Sequence, residues 1–230
     1  MSYKEKTVKN PFIAVVTIVA VAALLFLAGI SVAATSVTGK IIALDAGHGG
    51  GEDGATGYCE TEPGVMKAVV EADVNLAVRA ELTTLLTNAG ATAYPVAQLS
   101  SRKARVADAE SAGSNVLISI HHNGSSNMST DYTQSFVTQK NDKDFAKYIH
   151  PLLVSAFGPD KGIKNDGYGM TVYGSLPGVL TEAYFITNTN AACDFISYQK
   201  KIVAGTSIAG TRVYREAQAM YDGLLTYFSR

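Results

Sequence analysis

Two cysteines, Cys59 and Cys193, are all that the chain contains. Two cannot build the framework of a disulfide-scaffolded domain, although outside the cell the pair could close a single bond. A basic tract is also missing, so the sequence carries no footprint for nucleic acid. Residues 37–230 hold a net charge of about −3 by count, which gives no electrostatic attraction to an anionic membrane surface. Internal repeats, low-complexity tracts and an appended binding module are absent. Charge itself disappears from one long stretch. Residues 12–34 run for 23 positions of mainly Ala, Val, Ile, Leu and Phe, interrupted only by Thr17, Gly29 and Ser31. That length spans a bilayer as a helix. Lys4, Lys6 and Lys9 precede it, which keeps that end in the cytoplasm and sends the remainder out. Ser31-Val32-Ala33 and Val32-Ala33-Ala34 are small-residue cleavage candidates. No cysteine near the end of the run offers a lipid anchor. Residues 1–36 are therefore expected to be a signal peptide or a membrane anchor. Residues 37–230 are expected to form one domain, large enough to bury a core.

What is present is organised around residues 40–55, KIIALDAGHGGGEDGA. Four apolar residues lead into Asp45 and then a single histidine among glycines. A short apolar run bounded by turn residues reads as a buried strand. His48 then sits on a loop at the strand's end, where open α/β sheets bind ligands. The pattern recurs downstream: VLISI leads straight into His121-His122-Asn123-Gly124.

Between and after these motifs the chain alternates. Residues 65–90 read as one long helix stopped by Gly90, residues 91–96 as a short strand and residues 102–113 as a more polar helix. Further strands are expected at 115–120, 133–138, 170–173 and 178–185, and helices at 142–157 and 212–228. Strands alternating with helices imply an α/β fold: a three-layer sandwich, with a mostly parallel mixed sheet and helices on both faces. Function should collect at the C-terminal ends of the strands.

Two imidazoles and one carboxylate are a familiar catalytic zinc set with a fourth position left open. Side chains alternate along a strand, so Ser119, His121 and Asn123 face one way and Ile118, Ile120 and His122 the other. Only one histidine of the pair can reach a shared metal, and periodicity does not choose between them. Asn123, on the His121 face, is a candidate for substrate contact. Glu182 is the single charge in residues 178–185, GVLTEAYF. Burying an unpaired carboxylate is costly, so Glu182 either pairs with a Lys or Arg or serves a site. Glu71 lies on a helix, where a solvated carboxylate is the ordinary reading. His150, before Pro151, reads as helix surface or packing.

Four segments in order, LDAGHGGGEDGATG, EADVNLAVRAEL, VLISIHHNG and PGVLTEAYFITN, resemble the zinc-dependent N-acetylmuramoyl-L-alanine amidases of the amidase-3 type. The resemblance covers about residues 40–195 and extends to the closing helix. It implies His48, Glu71 and His121 as zinc ligands and Glu182 as the catalytic carboxylate. The implied reaction is hydrolysis of the amide between N-acetylmuramic acid and L-alanine in peptidoglycan, outside the cytoplasm, with membrane contact only through an uncleaved leader. Two other functions fit the same motifs: a metallopeptidase of this fold acting on the peptide stem, and a wall-binding domain without catalysis. The sequence departs from the family pattern at Ala46, where Pro is common, at Glu52, where Asp is usual, and at His122, where a small residue is common. Residues 56–70 make a longer connection than the pattern expects and hold two further carboxylates, Glu60 and Glu62. The segment between Asn123 and Asp144 is too short for the helix that plugs autoinhibited, division-associated members, so the chain resembles the minimal, open type.

Overall fold

The computed structural model describes residues 35–166 and 168–230. The apolar run at 12–34 lies outside the described residues. Among the described residues, no helix is long and apolar enough to cross a membrane.

In chain order the elements are β1 (Ile41–Ala46), β2 (Thr56–Glu62), β3 (Val65–Val70), α1 (Glu71–Asn88), β4 (Thr92–Pro95), α2 (Arg102–Ser111) and β5 (Val116–Asn123). There follow β6 (Thr133–Val137), α3 (Lys140–Phe157), β7 (Asp160–Asn165), α4 (Gly169–Val172), β8 (Gly178–Phe185), α5 (Thr189–Val203) and α6 (Arg212–Phe228). Six strands form one sheet in the order β4-β1-β5-β8-β6-β7. Its neighbours are parallel except for the antiparallel β6–β8 pair. The strands β2 and β3 form a separate antiparallel hairpin.

The period-two alternation of the central strands sorts their side chains between two cores. Ile42, Leu44, Ile118, Ile120, Val179 and Ala183 join a large core with residues of α1, α3, α5 and α6. Ala43, Leu117 and Leu180 join a smaller core with Val106 and Ala109 of α2 and Met170 of α4. Helices thus cover both faces, as expected for a three-layer sandwich. In α1 the buried Val74, Val78, Leu82 and Leu86 recur every fourth residue, the spacing that makes one apolar stripe. On the small-core face, the residues that follow Ala43, Leu117 and Leu180 at period two are Asp45, Ser119 with His121, and Glu182. The alternation therefore delivers these polar groups to one face at the C-terminal ends of three adjacent strands.

Several elements differ from the sequence reading. Residues 65–90 are not one helix: Val65–Val70 is strand and the helix begins at Glu71. The valines at 65, 69 and 70 favour a pleated, paired chain, and the Pro63-Gly64 turn, with Gly64 at φ 78°, folds β3 back on β2. The long connection at 56–70 is this hairpin, and Cys59 ties it to Cys193 of α5 through a disulfide. The segment at 170–173 is a short helix, not a strand, with the Thr171 and Val172 amides bonded to the Tyr168 carbonyl. Both β7 and α5 went unpredicted. The first is a polar edge strand, DKGIKN, without an apolar run to reveal it. Between Asn123 and Thr133 there is no helix. His150 is buried packing, with Ser135 on one ring nitrogen and Asp160 on the other, each at 2.9 Å.

Candidate metal centre and active site

The loop after β1 holds His48 in an unusual backbone state. Its φ of 61° is the one positive value at a non-glycine among the described residues. Such strain persists only where surroundings enforce it. Arg105 of α2 enforces it here, with Nη2 donating to the His48 carbonyl at 2.8 Å and Nη1 to the Ala46 carbonyl at 3.1 Å. The same guanidinium pairs with Asp45 at 2.9 Å, and Ser119 donates to the other Asp45 oxygen at 2.7 Å. This buried network ties β1, β5 and α2 together beneath the loop. Sequence reasoning missed its role. The available signal was Asp45 itself, a charge at the end of an apolar strand, which is the same anomaly that marked Glu182.

Glu71 opens α1 and is almost fully buried. Its Oε1 lies 2.9 Å from His121 Nδ1 and its Oε2 lies 3.2 Å from His48 Nε2. The backbone N–H groups of His122 and Ala55 donate to the same carboxylate, at 3.0 and 2.9 Å. Burial works against charge on Glu71, yet the hydrogen bonds from His121, His48 and Ala55 outweigh it and hold the carboxyl well below the usual range. The reciprocal hydrogen bond to Glu71 raises the pKa of His48 above its ordinary value. One ligand atom from each of His48, Glu71 and His121 falls within 4.8 Å of the other two, as a shared metal ion requires. Glu60 and Glu62 are exposed on the hairpin and are not in this cluster. Two glycines keep the space open. A Cβ on Gly47 would lie 2.2 Å from the His121 ring, and one on Gly54 would lie 2.6 Å from Glu71 Oε2.

The two histidines of β5 part as the alternation requires. His121 turns to Glu71. His122 turns into the large core, where Nδ1 meets Asn75 Oδ1 at 2.7 Å and Nε2 meets Glu216 Oε2 at 2.8 Å.

Glu182 pairs in register with His121 across β5 and β8. No Lys or Arg pairs with it; its Oε2 is buried and has no hydrogen-bond partner among the described residues. Desolvation, reinforced by the charges of Glu71 and Glu216, raises its pKa well above the ordinary carboxylate value. His48, His121 and Glu182 line one cavity of about 540 Å³, together with Arg102, Lys103, Tyr168 and Tyr173. Asn123 does not line it, and its Oδ1 accepts from the Gly124 N–H at 2.9 Å.

The donor set suits a transition metal. Two imidazole nitrogens and one carboxylate oxygen are the chemistry of a three-ligand site with an open position. Residues 42–210 match the family model described as N-acetylmuramoyl-L-alanine amidase. The chain belongs to that family. It is thus an amidase that hydrolyses the bond between N-acetylmuramic acid and L-alanine in peptidoglycan, and the family is metal-dependent. Among relatives, the chain is 35% identical over 188 residues to YqiI, an uncharacterized protein of Bacillus subtilis (strain 168), across 77% of this chain and 86% of that one. It is 31% identical over 204 residues to the N-acetylmuramoyl-L-alanine amidase LytC of the same organism. That match covers 84% of this chain but only 36% of LytC. Solved structures share the amidase fold at lower identity. The catalytic domain of CwlV from Bacillus (Paenibacillus) polymyxa var. colistinus superposes with a TM-score of 0.65 at 23% identity, covering 83% of this chain and 98% of that one. AmiC2 of Nostoc punctiforme gives 0.67 at 20% identity, with 84% and 99% covered.

Proposed function

We propose that the amidase works with one zinc ion held by His48, Glu71 and His121, and that Glu182 is its catalytic carboxylate. The observation that carries this reading is a His-Glu-His cluster whose two histidines line one cavity with Glu182, a carboxylate with an unpartnered buried oxygen. A bound zinc ion would supply Lewis acidity, polarising the scissile carbonyl and lowering the pKa of water. Glu182 accepts the proton of the attacking water and delivers it to the departing L-alanine nitrogen, its unpartnered Oε2 being free to take that proton. Arg105 and Asp45 hold the His48 loop in its strained conformation, so the imidazole is oriented before substrate arrives.

The site of action is the cell wall, outside the cytoplasm. Lys4, Lys6 and Lys9 before the apolar run support export, and the Cys59–Cys193 disulfide suits an oxidising compartment. A cytoplasm-dependent reporter fused after Arg230 should be silent; a working reporter would overturn this topology.

Mass spectrometry of cell wall digested by the purified protein tests the reaction. Free lactyl groups on muramic acid, paired with new L-alanine amino termini, are expected. Cleavage within the peptide stem would instead reveal a peptidase, and intact muropeptides a wall-binding domain.

A further inference from the structure

Beneath the metal cluster runs a second, wholly buried polar chain. It begins on α6, where Glu216 Oε2 meets His122 Nε2 at 2.8 Å, with neither side chain exposed. Across the ring, Nδ1 meets Asn75 Oδ1 at 2.7 Å. The Asn75 amide nitrogen then donates to the Gly47 carbonyl at 2.9 Å. Because that nitrogen is taken by a carbonyl, Oδ1 is the atom left to accept from His122.

The members of this chain are not scattered. Gly47 directly precedes His48. His122 directly follows His121, and its backbone N–H also donates to Glu71 Oε1 at 3.0 Å. Asn75 sits one helical turn after Glu71 on α1, at i+4. Each of the three metal-cluster residues thus has a covalent or helical neighbour in the same hydrogen-bonded chain. The sole member without such a neighbour is Glu216, which anchors the chain to the closing helix.

Stability does not account for Glu216. Its other oxygen, Oε1, is buried with no hydrogen-bond partner among the described residues. Apolar residues of similar size in place of a buried ion pair are often neutral or stabilising, so packing alone would favour them. We infer that Glu216–His122–Asn75 is a positioning network that sets the relative placement of His48, Glu71 and His121 for the metal. The inference rests on the metal-site reading above and extends it to residues that touch neither metal nor substrate. Groups that hydrogen-bond metal ligands directly typically govern metal affinity by about 10–100-fold. Here the His122 backbone N–H reaches Glu71, and Glu216 acts one residue further back through the His122 ring.

The test measures the zinc dissociation constant by chelator competition on the full chain, beside the melting temperature of the metal-free protein. Glu216→Gln preserves a hydrogen-bonding group opposite His122 Nε2, and its zinc affinity should stay within about 3-fold of wild type. Glu216→Leu should weaken zinc by about 10-fold, the lower end of the range for groups bonded to the ligands themselves. The pair His122→Leu with Glu216→Leu removes both partners of the buried pair but leaves Asn75 Oδ1 without its donor, so the melting temperature should recover only in part while zinc binding stays weak. Wild-type zinc affinity in Glu216→Leu or in the double variant would overturn the positioning role. So would a Glu216→Gln variant as impaired as Glu216→Leu. A wild-type protein that binds no zinc would overturn the metal reading as well, and the wild-type arm reveals that case separately.

Discussion

Gly47→Ala offers a clean way to move one proposed ligand without deleting it. Gly47 is not among the positive-φ glycines, so alanine fits the backbone. The added Cβ would nonetheless lie 2.2 Å from His121 Cε1 and Nε2 and 2.5 Å from Cδ2. Ordinary contact begins near 3.4 Å, so the imidazole must retreat by about 1.2 Å. Rotating a side chain off its rotamer costs about 0.5–1.5 kcal/mol, which lowers the melting temperature of a domain this size by only a few degrees. Catalysis is far less tolerant, because a displacement of about 1 Å at a reacting site costs roughly 10²-fold. The expected result is a loss of about 10²-fold in kcat/KM, or about 2.7 kcal/mol of transition-state stabilisation, with a near-native melting curve. Hydrolysis of soluble muropeptide, followed by release of L-alanine amino termini, measures it beside circular dichroism. A variant within about 3-fold of wild-type turnover would refute the placement of His121 in the reacting centre.

Other substitutions probe the frame. Arg105→Met leaves Asp45 buried with only Ser119 as partner, so about 3–5 kcal/mol of stability should be lost; a melting shift under about 3 °C would contradict the buried pair. Cys59→Ser opens a cross-link between residues 134 apart, and about 2–5 kcal/mol should go with it. Reductant should destabilise wild type to the same extent, and no response to reductant would mean that the bond is not formed. Chelation should abolish hydrolysis and added zinc restore it. Glu71→Ala should lose zinc while Glu62→Ala keeps it; the reverse result would assign the carboxylate to the hairpin.

The sheet was legible where burial on both faces leaves an apolar run, as in β1, β5 and β8, and where that run ends in a residue that does not belong in a core. His48 and His121 announced themselves in this way, and Glu182 as the single charge inside such a run. The boundary at Val70–Glu71 did not. Strand passes into helix there with no side-chain cap, so only the valines before it and the acidic first turn, Glu71 and Asp73, mark the switch. The edge strand β7 was hidden for a different reason: an edge needs no apolar face and is better protected by charge. Alternation correctly set His121 and His122 on opposite faces of β5. It was silent on what lay behind each, because Asn75 and Glu216 stand 47 and 94 residues away and meet His122 only through packing of α1 and α6. The Asp45–Arg105 pair, 60 residues apart, was invisible in the same sense.

The central claim is that His48, Glu71 and His121 hold the metal while Glu182 handles the proton. Glu182→Gln separates the two roles in one preparation. Zinc content and kcat on soluble muropeptide should be measured together on this variant. The account predicts near-stoichiometric zinc, a native fold and a loss of at least about 10²–10⁴-fold in kcat, the contribution of a general acid–base. Wild-type turnover would remove Glu182 from the mechanism, and lost zinc would make it a ligand and contradict the assignment of the other three.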